Sequence, residues 1–279
     1  MLSTIYLLSA LAFFVGLVAY YRRGLANPKG STGKVVLFAY AIPAVLTFGA
    51  VYSTGSYAVK CALLRDPMIL DELSARYSKA KESAQEKEGQ KALKKLSARD
   101  YERAPVLGNL TGDVTVLEFY DYTCGYCQRA FAAAKAMLDS DKGVKLVLVN
   151  FVINPQVGTL PARASMAAAK QGQDKLAKLH EALFTAKLVP EGATEANIVE
   201  KQTALIMDLA KKAGLNVEQL KKDMADSAID QELEGNRALA VKLGITGTPA
   251  FVIGNHKLIP GAVPAYTLLE AVEAARAKK

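Results

Sequence analysis

Two long apolar runs without a charged side chain open the chain, residues 1–21 and 35–59. About 20 apolar residues in a helix suffice to cross the hydrocarbon core of a bilayer. The second run is broken by Pro43, Gly49 and Gly55, which membrane helices tolerate better than soluble ones. Arg22, Arg23, Lys29 and Lys34 lie between the runs, whereas no basic side chain precedes the first. Loops rich in Lys and Arg stay cytoplasmic, so the pattern predicts a transmembrane hairpin over residues 1–60 that delivers everything after Lys60 to the far side. A cleaved signal peptide is the alternative for the first run, but its basic residues follow the apolar stretch instead of preceding it. A buried soluble helix is the alternative for the second.

Residues 61–103 are densely charged and read as a helical linker or stalk. Leu70, Leu73, Tyr77, Ala80 and Ala84 recur at steps of three and four, which places them on one helix face. The stripe fails at Lys87 and Lys91, too soon for a sustained coiled coil. A solvated spacer between bilayer and catalytic domain is the plain reading; a homo-oligomer formed through residues 66–96 is the alternative.

From residue 104 to 279 the pattern changes to that of an α/β domain. Residues 113–120 are rich in β-formers and predict a strand. Residues 128–138 are Ala-rich and helical, and 145–151 form a near-continuous apolar run expected of a strand buried on both faces. Further helices are expected over 162–170, 175–184, 197–213 and 217–243, with a last strand following Pro249. Cys124 and Cys127 fall where the first strand ends and the first helix begins.

Composition narrows the chemistry. The net charge is +8, yet the Lys residues alternate with Glu and Asp along the expected helices, which describes a solvated surface and not a nucleic-acid partner. Three cysteines are too few for a disulfide-stapled scaffold, and two of them form Cys124-Gly125-Tyr126-Cys127. A C-x-x-C opening the helix of a strand–helix–strand unit reads as a redox pair. Exchange proceeds by thiolate attack, and the unpaired N–H groups at a helix N-terminus favour negative charge on Cys124. Cys127, one turn along, is placed to resolve the mixed disulfide. Zinc is the competing reading, but a structural site takes four ligands, and beyond this pair only Cys61, His180 and His256 remain. No bound cofactor is required. His180 and His256 are expected at packing or surface positions, and Cys61 as an idle thiol or an intermolecular link.

Glu118 interrupts the apolar strand. It either points to solvent or is a buried carboxylate beneath the Cys pair that accepts or relays the proton of Cys127.

The segment 118–127 (Glu-Phe-Tyr-Asp-Tyr-Thr-Cys-Gly-Tyr-Cys), followed by Gly244-Ile245-Thr246-Gly247-Thr248-Pro249, resembles the DsbA-like branch of the thioredoxin superfamily. The resemblance covers residues 104–279 and implies a thioredoxin fold whose helical insertion spans 161–240. It implies a cis-proline at Pro249 packed beside Cys124, and a Thr248 backbone that pairs with an extended substrate segment. Gly125 and Tyr126 complete that substrate-facing surface, and Glu118 matches the family's buried acid. Where the strong oxidase carries Pro-His between its cysteines and Val before the proline, this chain has Gly125-Tyr126 and Thr248.

The expected protein is thus a multi-pass bacterial inner-membrane enzyme with a periplasmic catalytic domain. It exchanges disulfides with cysteine-containing envelope proteins, leans toward reduction or isomerisation, and is reset by a membrane redox partner. A DsbA-type oxidase, and a non-catalytic client-binding subunit of an envelope assembly complex, are the alternatives.

Overall fold

The computed structural model describes residues 68–278. The hairpin expected over residues 1–60, and Cys61, lie outside that range. Among the described residues no helix is long and apolar enough to cross a membrane. The first element is the helix α1 (Met68–Lys94). Its side chains at 71–81 and 83–88 are exposed, Leu73 and Tyr77 among them. From Lys79 onward it belongs to a compact unit that runs to the C-terminus.

That unit is built on five strands in the order β1 (Val106–Gly108), β3 (Val144–Asn150), β2 (Val114–Tyr120), β4 (Ala250–Ile253) and β5 (Lys257–Pro260). β2 and β3 are parallel, and the other pairs are antiparallel. A parallel pair needs a crossover, supplied by α2 (Gly125–Ser140). Between β3 and β4 the chain forms a helical block: α3 (Pro155–Ala169), α4 (Gln173–Thr185), α5 (Ile198–Lys212), α6 (Val217–Met224) and α7 (Ser227–Lys242). α8 (Ala265–Arg276) ends the chain and packs on α2. This is the thioredoxin-like α/β topology with a helical insertion.

β2 and β3 lie mid-sheet and have cores on both faces, which is why they read as unbroken apolar runs. One face carries Val114, Val116 and Tyr120 toward α2, α8 and the insertion; the other turns Leu117 and Phe119 toward Leu93, Leu96, Leu239 and Leu243. Residues of one strand alternate between faces, so Glu118 shares the side of Val116 and Tyr120.

Three differences from the sequence pattern have physical causes. The helix expected over 217–243 is two helices, because Asp226 accepts from the Ala228 N–H and caps a new start. β1 is only three residues long and carried no periodic signal. The stalk is not a spacer throughout, since Leu93 and Leu96 are buried in the second core. A Cβ on Gly89 would meet the Leu243 carbonyl oxygen at 2.7 Å, and only glycine admits the approach that seats them.

Candidate active site

The Cys pair sits where β2 hands over to α2. Asp121, directly after β2, is buried, and its carboxylate accepts four hydrogen bonds: from the Thr123 N–H at 2.8 Å, the Thr123 hydroxyl at 2.7 Å, the Ile153 N–H at 2.8 Å and the Asn154 N–H at 3.3 Å. The first two make an Asx turn, closed by the Cys124 N–H donating to the Asp121 carbonyl. The other two tie the turn to the segment that opens α3. Gly158 on α3 packs against this carboxylate, and a Cβ there would lie 2.9 Å from one of its oxygens.

Cys124 is the N-cap of α2 in extended conformation, and its carbonyl takes the helix's first hydrogen bond from the Gln128 N–H. It is half-buried, Cys127 is fully buried, and both thiols are free. Burial pushes the Cys127 thiol well above its ordinary pKa; the Thr248 hydroxyl facing it works in the other direction. The Cys124 thiol donates to the Thr248 carbonyl at 3.4 Å. The Thr248–Pro249 peptide bond is cis, and Pro249 is buried at the start of β4. The structure therefore joins Cys124, Cys127, Thr248 and Pro249 at one place, although Thr248 is 124 residues from Cys124 in sequence. Gly125 and Tyr126 are exposed, and the Arg129 guanidinium lies 4.3 Å from the centre of the Tyr126 ring, a cation–π distance.

Glu118 does not point to solvent. Its side chain is fully buried on the sheet face that carries α2, and neither carboxyl oxygen has a hydrogen-bond partner among the described residues. Burial raises its pKa to about 8, because the charged form loses its hydration. Close by, the Tyr122 hydroxyl and His180 Nδ1 are 2.7 Å apart, and the Tyr120 hydroxyl reaches Tyr122 at 3.3 Å. His180 is buried among the rings of Tyr120, Tyr122, Phe131 and Phe184, and burial lowers its pKa to about 3. It is a packing histidine on the inner face of α4, whereas His256 is exposed near the β4–β5 turn.

Asp121 and the Tyr122–His180 pair are what sequence reasoning missed. Asp121 had a visible signal, an Asp two residues before a Thr at the end of a strand; the Tyr–His pairing spans 58 residues and had none.

A family model described as the DSBA-like thioredoxin domain matches residues 115–273. The Disulfide bond formation protein D of Bacillus subtilis is 32% identical over 174 residues, covering 61% of this chain and 75% of the relative. A thioredoxin-like oxidoreductase from Silicibacter pomeroyi superposes with a TM-score of 0.55 at 37% identity, covering 65% of this chain and 99% of that one. BcfH of Salmonella enterica Typhimurium, at 23% identity and a TM-score of 0.57, covers 86% and 99% and shares the fold. The matched segment runs from β2 through the Cys pair and the Thr248–Pro249 turn into α8, and on these grounds the chain belongs to the DSBA-like thioredoxin-domain family of thiol–disulfide oxidoreductases.

Proposed function

We propose that Cys124 and Cys127 are the redox pair of this enzyme, acting on cysteines of envelope proteins from a periplasmic domain tethered by the apolar segments within residues 1–60. The observation that carries the reading is the asymmetry of the two thiols: Cys124 is half-exposed and meets the Thr248 carbonyl, while Cys127 is fully buried. Cys124 exchanges with the client, forming the mixed disulfide. Cys127 then attacks the Cys124 sulfur, the client leaves as a thiolate, and the Cys124–Cys127 disulfide forms, which reduces the client; the reverse sequence oxidises a client. Glu118 relays the proton that Cys127 must lose. Thr248, Pro249, Gly125 and Tyr126 hold the client, whose extended segment pairs with the Thr248 backbone. A membrane redox partner resets the pair, the part of residues 61–103 ahead of the buried Gly89 spaces the domain from the bilayer, and the exposed part of α1 within residues 66–96 offers a surface for a second copy.

Trapping tests this assignment. Cys127→Ala is expected to accumulate mixed disulfides with client proteins, and Cys124→Ser to form none and to lose exchange activity. Adducts through another cysteine, or activity surviving without the Cys124 sulfur, count against it.

The direction of exchange leans toward reduction or isomerisation. No imidazole lies between the cysteines to stabilise a thiolate, so the reduced form gains less than in a strong oxidase. A second reading, dithiol oxidation, is favoured by the Bacillus relative, whose name specifies disulfide bond formation. Equilibration with glutathione separates them. Family potentials run from about −270 mV to about −120 mV, roughly 7 kcal/mol apart, and a value near the upper end would favour oxidation.

A further inference from the structure

The segments that meet at Cys124 are nearly free of charge. Residues 151–162, which open α3 beside the Asp121 turn, carry no charged side chain. Neither do residues 244–255 around the cis-proline, nor 258–269, whose Gly261 N–H donates to the Pro249 carbonyl at 2.7 Å. In the turn itself the single charge is Asp121, buried with its carboxylate taken up by four hydrogen bonds. Tyr126 and Ile153 are exposed among these segments. Arg129, in the second turn of α2, breaks the pattern. It is exposed and forms no ion pair among the described residues, whereas Lys135, the other cation of that helix, is paired with Glu181 at 2.7 Å. The one acid of α2, Asp139, lies ten residues farther on, about 15 Å along the axis. Tyr126 and Arg129 share a helix face, and the guanidinium rests 4.3 Å from the ring centre. Side chains on a helix lean toward its N-terminus, so this unpaired cation leans back toward the turn that presents Cys124.

We infer that Arg129 is a specificity-determining residue of the exchange reaction, and that it receives the carboxylate of an Asp or Glu within about two residues of the client's reactive cysteine. The inference rests on Cys124 being the sulfur that meets the client. When the Cys124 thiolate attacks, a bond forms between its sulfur and the client's, the client disulfide breaks, and the departing sulfur takes the electron pair. The attacking charge is negative, so by itself it draws cationic client segments and repels anionic ones. A cation held beside it reverses that order for a carboxylate close to the reacting cysteine. Arginine suits the task, because its planar fork takes both oxygens of a carboxylate. The Tyr126 ring already restrains that fork, so less side-chain freedom is lost when a client binds. Arg129 starts five residues beyond Cys124, about 7.5 Å along the axis, and leans back over that distance. An extended client advances about 3.3 Å per residue, which puts an acid one or two residues from its cysteine within reach. The uncharged segments around Cys124 offer a client charge no other partner, so the favoured client has an acid near its cysteine and apolar neighbours elsewhere.

The test uses the full-length chain in its reduced form and peptides whose single cysteine carries a thiopyridyl disulfide. Absorbance of the released thiopyridone reports attack on the peptide sulfur, and release by Cys124→Ser, due to other thiols, is subtracted. Two peptides share one composition. The first has Glu two residues from the cysteine on both sides and Lys eight residues away; the second has Glu and Lys exchanged. Their net charge is the same, so the +8 of the chain does not distinguish them. The distant charges lie about 26 Å off, beyond the screening length of about 10 Å at 0.1 M salt. The near-Glu peptide is expected to react roughly fivefold faster, the size of effect an exposed ion pair gives, and the ratio should fall toward one in about 1 M salt. Arg129→Gln should bring the ratio to one or below, and Arg129→Glu should make the near-Lys peptide the faster. A native ratio of one, or a ratio that both substitutions leave unaltered, overturns the assignment of Arg129 while Cys124 keeps its role. Release no faster than that of Cys124→Ser with either peptide sinks the reading of Cys124, and Arg129 with it.

Discussion

The Cys124 thiol donates to the Thr248 carbonyl at 3.4 Å, tying the start of α2 to the residue that leads into β4. The same threonine serves the second cysteine through its side chain. The Thr248 hydroxyl is buried, has no formed hydrogen bond among the described residues, and faces the Cys127 thiol, where it favours the ionised form. Thr248→Val removes the hydroxyl and keeps the backbone carbonyl and the side-chain shape. One hydrogen bond to a charged group contributes about 1.5–3 kcal/mol. The rate–pH profile for resolution of a mixed disulfide should therefore move to higher pH by about one unit, with the first attack by Cys124 little changed. An unshifted profile would show that the hydroxyl does not reach the developing thiolate.

Asp121 is the mechanical link between the Cys pair and the insertion, because its carboxylate holds both the turn before Cys124 and the backbone that opens α3. Gly158 leaves it no slack. A methyl group there would press on both carboxylate oxygens, at 2.9 and 3.0 Å, and on a Val152 methyl at 3.0 Å. Four hydrogen bonds keep the carboxylate from retreating. Gly158→Ala is expected to lower stability by roughly 1–3 kcal/mol, the usual cost of overpacking, and to slow the attack by Cys124, whose N–H closes the same turn. Thermal melts and a single-turnover rate check both.

Two helical glycines should respond to alanine with opposite signs. In an exposed helix interior Gly→Ala gains about 1 kcal/mol from propensity. Gly235 on α7 is exposed, and a methyl group there would have nothing within 4 Å, so Gly235→Ala should stabilise by that amount. Gly89 on α1 would place a methyl 2.7 Å from the Leu243 carbonyl oxygen. Backbone on both sides of that contact cannot yield cheaply, and strain of about 1–3 kcal/mol outweighs the gain. Gly89→Ala should loosen Leu93 and Leu96 from the second core, seen as faster amide exchange over the end of α1.

The contrast between those glycines marks how far the sequence could be read. β2, β3 and α2 were legible because their side-chain periods answer to burial alone, and Cys124 and Cys127 because a strand ends just before them. Glu118 stood out as a charge in an apolar run, though which face it takes depends on cores that periodicity does not describe. Asp121, Gly158 and His180 act through contacts 32 to 58 residues apart or through a missing methyl group. Such partners are brought together by the packing of α3 and α4, and nothing local to any of them announces it.

Two buried groups without charge at neutral pH should shape stability in opposite directions. Burial holds the folded pKa of Glu118 at about 8 against an ordinary 4.5. Between those values the native state binds more protons than the unfolded chain, so stability is complete below pH 4.5 and lost as pH rises through 8. His180 runs the other way, with a folded value of about 3 against 6.5. The unfolded chain then binds more protons across that window, so stability is complete above pH 6.5 and lost as pH falls through 3. Between pH 4.5 and 6.5 the two slopes cancel, and each alone amounts to about 1.4 kcal/mol per pH unit. Urea titrations at a series of pH values should give a plateau there, with a decline of about 2 kcal/mol from pH 6.5 to 8. Glu118→Gln should remove the alkaline decline and extend the acid limb up to pH 6.5, and His180→Gln should soften the acid limb and start the alkaline decline already at pH 4.5. A Glu118→Gln curve that still falls between pH 6.5 and 8 as the native curve does would mean that the decline comes from another group and that the carboxyl is already ionised there.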